Sequence, residues 1–203
     1  MPLMYLLKGL LIGFSIAAPV GPIGILCIQR TLTAGRTTGL ITGLGAASAD
    51  AVYGCIAGFG LTWISQFLLA QKTWLQLGGG VFLAYLGLKA WLARPGSDSQ
   101  RASTPGFLQA YVSTFFLTLT NPMTILSFMA VFAGLGIAAT TGNYRDAAML
   151  VLGVFCGSAV WWLLLSFGVG IFRSRPSAGS LRWINRLSGT ILLVFAAAAI
   201  YKL

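Results

Sequence analysis

The chain contains no histidine and no glutamate, and its only acids are three aspartates. Without histidine, and with so few carboxylates, neither a hydrolase constellation nor a metal relay can be assembled. No GxxxxGK[ST] loop is present, so ATP hydrolysis by this chain is excluded. The three cysteines, Cys27, Cys55 and Cys156, form no CxxC pair and all lie in apolar segments, where small buried hydrophobes are expected. No cofactor and no metal is therefore expected. Charge of either sign is scarce at 8% of residues, against roughly 25% in soluble domains.

What the chain has instead is apolar length: 57% hydrophobic residues and a mean hydropathy of +0.87. This composition implies an all-α integral membrane protein. The net charge of +10 is then a matter of topology and not a nucleic-acid footprint, since the basic residues are scattered through short loops without interleaved aromatics. Lys8, an apolar run and Ala17–Ala18 imitate a signal peptide, but more apolar chain follows at once, which predicts a retained first span.

Six segments have the length needed to cross a bilayer, near 3–28, 38–62, 74–92, 107–136, 147–171 and 183–202. The first and fourth are too long for straight spans, and both contain a proline break. In the first, Pro19-Val20-Gly21-Pro22-Ile23-Gly24 places two prolines and two glycines within six residues. In the fourth, Asn121-Pro122-Met123-Thr124-Ile125-Leu126 echoes Gly21-Pro22-Ile23-Gly24-Ile25-Leu26. Paired breaks in corresponding segments point to a transporter's binding site.

The polar stretch from Ala93 to Pro105 divides the chain into a first unit, 1–92, a linker, 93–106, and a second unit, 107–203. At a shift of 110 residues, Gly43, Ala47, Ser48 and Ala49 meet Gly153, Gly157, Ser158 and Ala159, while Leu83 meets Leu193. Three spans per copy is an odd number, so the expected architecture is two inverted three-helix repeats within one membrane domain. Lys8, Lys72, Arg145 and Lys202 fall on one side. Nine basic residues, Arg30 and Arg36 among them, fall on the other, which is expected to be cytoplasmic with both termini outside. The six tryptophans fit interface anchoring; for Trp161 and Trp162, which lie deeper, packing is the preferred reading over a role in lining a cavity.

Asp98 lies in the linker and Asp146 at a loop edge, whereas Asp50 falls mid-span in a run of small residues. Gly39, Gly43, Ala47 and Gly54 share its helical face, which turns Asp50 into the bundle. An ionised carboxylate there costs about 2.5–3.5 kcal/mol on insertion scales, so such a group faces a cavity or a partner. The alternative is a structural aspartate bonded to a donor on another helix. The matching position in the second copy is Val160. A half-helix starting beyond Pro22 or Pro122 offers unpaired N–H groups and a positive dipole end. Asn121 would either cap that half-helix or donate to a ligand. Acid and helix end together make a two-point grip for a small zwitterion, and Asp50 is the intramembrane group able to exchange a proton.

The candidate site is thus Asp50 and Asn121 with Pro19, Gly21, Pro22, Gly24, Pro122, Gly43 and Gly54. The Gly9/Gly13 and Gly54/Gly58 pairs suit internal helix packing or a homodimer contact.

Pro19-Val20-Gly21-Pro22, the Gly43-to-Asp50 run, Thr120-Asn121-Pro122 and Asn185-Arg186-Leu187-Ser188-Gly189 together resemble the lysine-exporter (LysE/RhtB) family of bacterial amino-acid efflux proteins, over essentially the whole chain. The resemblance implies export of small amino acids from the cytoplasm, by proton antiport, in the bacterial inner membrane. With one intramembrane carboxylate, neutral substrates such as threonine, homoserine or leucine fit better than basic ones. The alternatives are a metal-ion exporter of related helix arrangement, disfavoured by the lack of histidine and paired acids, and a membrane thiol-electron carrier. The latter needs cysteines beside both breaks, and only Cys27 lies near one.

Overall fold

A computed structural model describes residues 2–19, 21–59, 70–92, 105–121, 123–128, 143–171 and 178–201. Seven helices are delimited: α1 (Pro2–Ala17), α2 (Pro22–Ala34), α3 (Arg36–Gly58), α4 (Lys72–Leu92), α5 (Phe107–Leu119), α6 (Tyr144–Ile171) and α7 (Ala178–Tyr201). Residues 123–128 are also helical, and among the described residues there is no strand. The expected linker up to Thr104, the far part of the fourth segment, Val20, Pro122, Asp98 and Trp63 lie outside the described residues.

Large apolar side chains lie on the outside of the protein as well as in its core. Leu3, Leu7 and Leu11 on α1, Val81, Tyr85 and Leu88 on α4, and Leu108, Val112 and Phe116 on α5 face outward. The interior holds Ala46, Ala47, Ala49, Thr42, Thr114 and Ser158. Apolar area of this size on the outside is suited to lipid. α3, α6, the Thr73–Leu92 part of α4 and the Arg182–Tyr201 part of α7 are long and apolar enough to cross a membrane. α1 and α2 form a fifth crossing if the bent pair is one span; their axes meet at 80°.

Small residues set the packing. α1 lies along α6 in parallel, with Gly9 and Gly13 against the backbone of Leu150 and Val154, and Gly153 and Gly157 against that of Leu6 and Leu10. α5 lies along α3 in the same parallel sense, where Gly45 meets the Tyr111 carbonyl and Tyr53 Oη donates to the Leu119 carbonyl at 2.5 Å. α3 and α6 cross antiparallel through Gly39–Ser166, Gly43–Trp162, Gly54–Val154 and Gly58–Leu150. α4 and α7 pair antiparallel, joined at one end by Gln76 Nε2 donating to the Ala199 carbonyl at 2.6 Å, and at the other by the Gly87–Gly189 contact. Without a hydrophobic drive between helices in lipid, such close contacts supply the association. Both glycine pairs considered for a homodimer, Gly9/Gly13 and Gly54/Gly58, are engaged inside the chain against α6.

One boundary differs from expectation. The helix beyond Pro22 does not stop near residue 28 but runs to Ala34, and Gly35 alone, at φ 109°, turns the chain into α3. Neither glycine nor proline lies between Gly24 and Gly35, and Thr31 and Thr33 bond back to the Cys27 and Gln29 carbonyls at 2.8 Å, which keeps their hydroxyls within the helix. Glycine is required at the turn because that φ is left-handed territory. The consequence is that Arg30, expected in a loop, lies inside a helix.

Candidate functional site

A cavity of about 470 Å³ opens where α1 gives way to α2 and α5 to the 123–128 segment. This volume lies within the roughly 300–1,000 Å³ usual for small-molecule sites. Pro19, Gly21, Pro22 and Gly24 line it from the first side, and Thr118, Thr120, Asn121 and Thr124 from the second. α3 contributes Ala46 and Asp50, α6 contributes Trp162, and α4 and α7 close it with Gln76, Leu83, Phe195 and Ala199. Six of the nine expected site residues therefore share one cavity: Asp50, Asn121, Pro19, Gly21, Pro22 and Gly24. Pro122 lies outside the described residues. Gly43 and Gly54 are not part of the lining. Gly43 makes room for the Trp162 side chain and Gly54 faces Val154, so both serve the α3–α6 crossing.

Asp50 is 3% exposed and lines the cavity. Ser158 Oγ donates to its Oδ2 at 2.6 Å, and Trp162 Nε1 donates to that same Oγ at 3.0 Å. The indole thus fixes the hydroxyl as a donor toward the acid. The two helix ends beside it are unlike. Gly21, the N-cap of α2, makes no side-chain cap bond, and Ile23 and Gly24 of the first turn line the cavity. At the second break Asn121 Oδ1 accepts from the Met123 N–H at 3.1 Å, and the Asn121 carbonyl accepts from Thr124 and Ile125. Asn121 is a helix cap that also lines the cavity.

A buried acid thus lines a cavity beside the N-terminus of α2, within a bundle of apolar helices. A family model described as "LysE type translocator" matches residues 14–203. The chain belongs to this family. It is a translocator and not an enzyme. The chain is similar to "Putative amino acid efflux protein YcgF" of Bacillus subtilis (strain 168), 30% identical over 195 residues that cover 93% of this chain and 91% of that protein. It is also similar to "Uncharacterized membrane protein YahN" of Escherichia coli (strain K12), 29% identical over 86% of this chain and 79% of that protein. No solved structure matches the chain.

Sequence reasoning missed three buried features, two of them in the cavity and one away from its lining. Trp162, read first as packing, is 4% exposed yet also lines the cavity and orders Ser158. Its spacing from Ser158, one helical turn, was a usable signal. Thr118 is 2% exposed and lines the cavity. The third is Arg30, 5% exposed, whose Nη1 donates to Thr42 Oγ1 at 3.3 Å, the Ala110 carbonyl at 3.1 Å and Thr114 Oγ1 at 3.0 Å, while Nη2 donates to Ser113 Oγ at 3.0 Å. These partners tie α2 to α3 and α5, and none carries a charge.

Arg30 makes a sharp prediction. Thr42 and Thr114 keep their own back-bonds to the Thr38 and Ala110 carbonyls, so removing the guanidinium strands no hydroxyl proton. Arg30→Met removes a desolvated charge at similar volume, whereas Arg30→Lys keeps the charge and loses the fork that reaches Ser113 and Thr114 together. In detergent melting, Arg30→Lys is therefore expected to be the less stable of the two, by about 1–3 kcal/mol. Equal melting of the variants would contradict the buried, fork-dependent placement.

Proposed function

We propose that this chain is a secondary transporter that exports small neutral amino acids from the cytoplasm in exchange for protons. The observation that carries the reading is the meeting, in one cavity, of the one acid buried among the described residues and the uncapped N-terminus of α2. The α-ammonium group goes to Asp50, and the α-carboxylate goes to the N–H groups of Ile23 and Gly24. A single carboxylate holds either a proton or an ammonium group. Occupancy by one expels the other, which is what exchange requires. The names of YcgF and of "Putative amino-acid transporter YisU" of Bacillus subtilis (strain 168), 23% identical over 97% of this chain, support an amino acid as cargo.

Six crossings in two inverted halves, with residues 1–92 and 107–203 as the copies, complete the proposal. In support, α1 lies on α6 as α5 lies on α3, and the α3–α6 and α4–α7 pairs are antiparallel, as two helices related by an in-plane two-fold axis must be. The α1–α2 bend and the Thr120–Asn121 turn then occupy equivalent places. With Arg30 buried, the basic count is eight against four, still favouring the same side as cytoplasmic and both termini as periplasmic, in a bacterial inner membrane. Counterflow in liposomes with a panel of radiolabelled amino acids tests the reading. Neutral amino acids should exchange and lysine should not; exchange of cadmium or nickel in place of amino acids would overturn it.

A further inference from the structure

We infer that Thr118 is a substrate-binding residue, its hydroxyl accepting an N–H of the same α-ammonium group that Asp50 holds; this rests on the site proposed above. Among the described residues, Thr118 Oγ1 is the buried side-chain oxygen left without a hydrogen-bond partner. Its behaviour differs from that of its neighbours. Thr31, Thr42, Thr114 and Thr120 each donate back to the carbonyl four residues earlier, at 2.8–2.9 Å. Thr118, on the same helix as Thr114, does not.

An unpaired hydroxyl at 2% exposure is costly unless something occupies the space it faces. Thr118 is also one of the residues that line the cavity, as Asp50 is. The two residues lie within one helical turn of the same level of the bundle. α3 and α5 run parallel, and the next pairing along them joins Tyr53, one turn beyond Asp50, to the carbonyl of Leu119. An ammonium group has three donors. Asp50 takes one or two, and a neutral acceptor beside it takes another without adding a second charge. The carboxylate goes to the opposite wall at α2, where the donors are. The pairing therefore demands a primary amine and rejects its acylated form.

Binding of radiolabelled L-leucine and L-threonine to the purified full chain, measured by scintillation proximity, tests this. Thr118→Val is isosteric and removes only the hydroxyl; it is expected to weaken binding about tenfold and to leave the melting temperature unchanged or raised. Thr118→Ser should bind as the unaltered protein does. Leucinamide, which keeps the ammonium group, should lose affinity for Thr118→Val as leucine does, while N-acetyl-leucine should compete equally weakly with both proteins. Unchanged leucine affinity in Thr118→Val, with Asp50→Asn weakened, would overturn the inference and leave the site standing. A lowered melting temperature with unchanged affinity would make the hydroxyl structural and also overturn it. Failure of the unaltered protein to bind either amino acid would overturn the proposed site itself.

Discussion

Asp50→Asn is expected to reduce gradient-driven transport to the background of empty liposomes while the protein still inserts and folds. Asparagine keeps an Oδ1 that accepts from Ser158, so the contact between α3 and α6 survives the change. What disappears is the charge and the exchangeable proton. A neutral amide neither forms an ion pair with an ammonium group nor carries a proton between the two sides, and no second acid is buried among the described residues to replace it. Proton and substrate compete for one carboxylate in the unaltered protein, so its apparent affinity should fall as pH is lowered. Whatever residual binding Asp50→Asn retains should lose that dependence. Accumulation against a gradient by Asp50→Asn, or a pH dependence that persists in it, would remove Asp50 from the coupling mechanism.

The polar part of this site was legible because the sequence is poor in charge. A lone mid-span aspartate among glycines and alanines has few available explanations, and the structure puts it into a cavity together with Pro19, Gly21, Pro22, Gly24 and Asn121. Two alternatives weighed from sequence both find expression. Asp50 is bonded to a serine on another helix and also lines the cavity, and Asn121 both caps and borders it. Helical spacing could say that Gly43 and Gly54 share a face with Asp50. It could not say that the rows on that face belong to a helix crossing, because a small residue serves close packing and cavity access equally well. Arg30 was misread for a related reason. Basic residues near span ends are ordinarily solvated, and its burial depends on Thr42, Ser113 and Thr114, which come from two other helices. Thr118 was invisible, since an unsatisfied hydroxyl is a property of geometry and not of residue type.

The largest effect on assembly is expected from Gly157. A Cβ there would strike the Leu10 carbonyl oxygen and lie 2.8 Å from its carbon and 2.9 Å from its Cα, all backbone atoms that no rotamer change can move aside. Gly54 is the contrast on the partner helix: a Cβ there meets only the Val154 side chain, at 3.4–3.5 Å, which is ordinary contact. Alanine costs nothing in helix propensity at either position and gains up to about 1 kcal/mol over glycine. Gly54→Ala should therefore melt at or slightly above the unaltered protein, whereas Gly157→Ala should lose about 1–3 kcal/mol to overpacking, and Gly157→Leu should fail to accumulate as a folded species. The damage should reach function before it reaches folding. Gly157 adjoins Ser158, which holds Asp50, and the helix it would displace ends at Ile16 and Ala17, both of which line the cavity. Gly157→Ala is accordingly expected to weaken leucine binding at temperatures where it is still folded, and Gly54→Ala to leave it unchanged. Identical melting and binding in the two alanine variants would mean that α1 does not approach α6 through bare backbone.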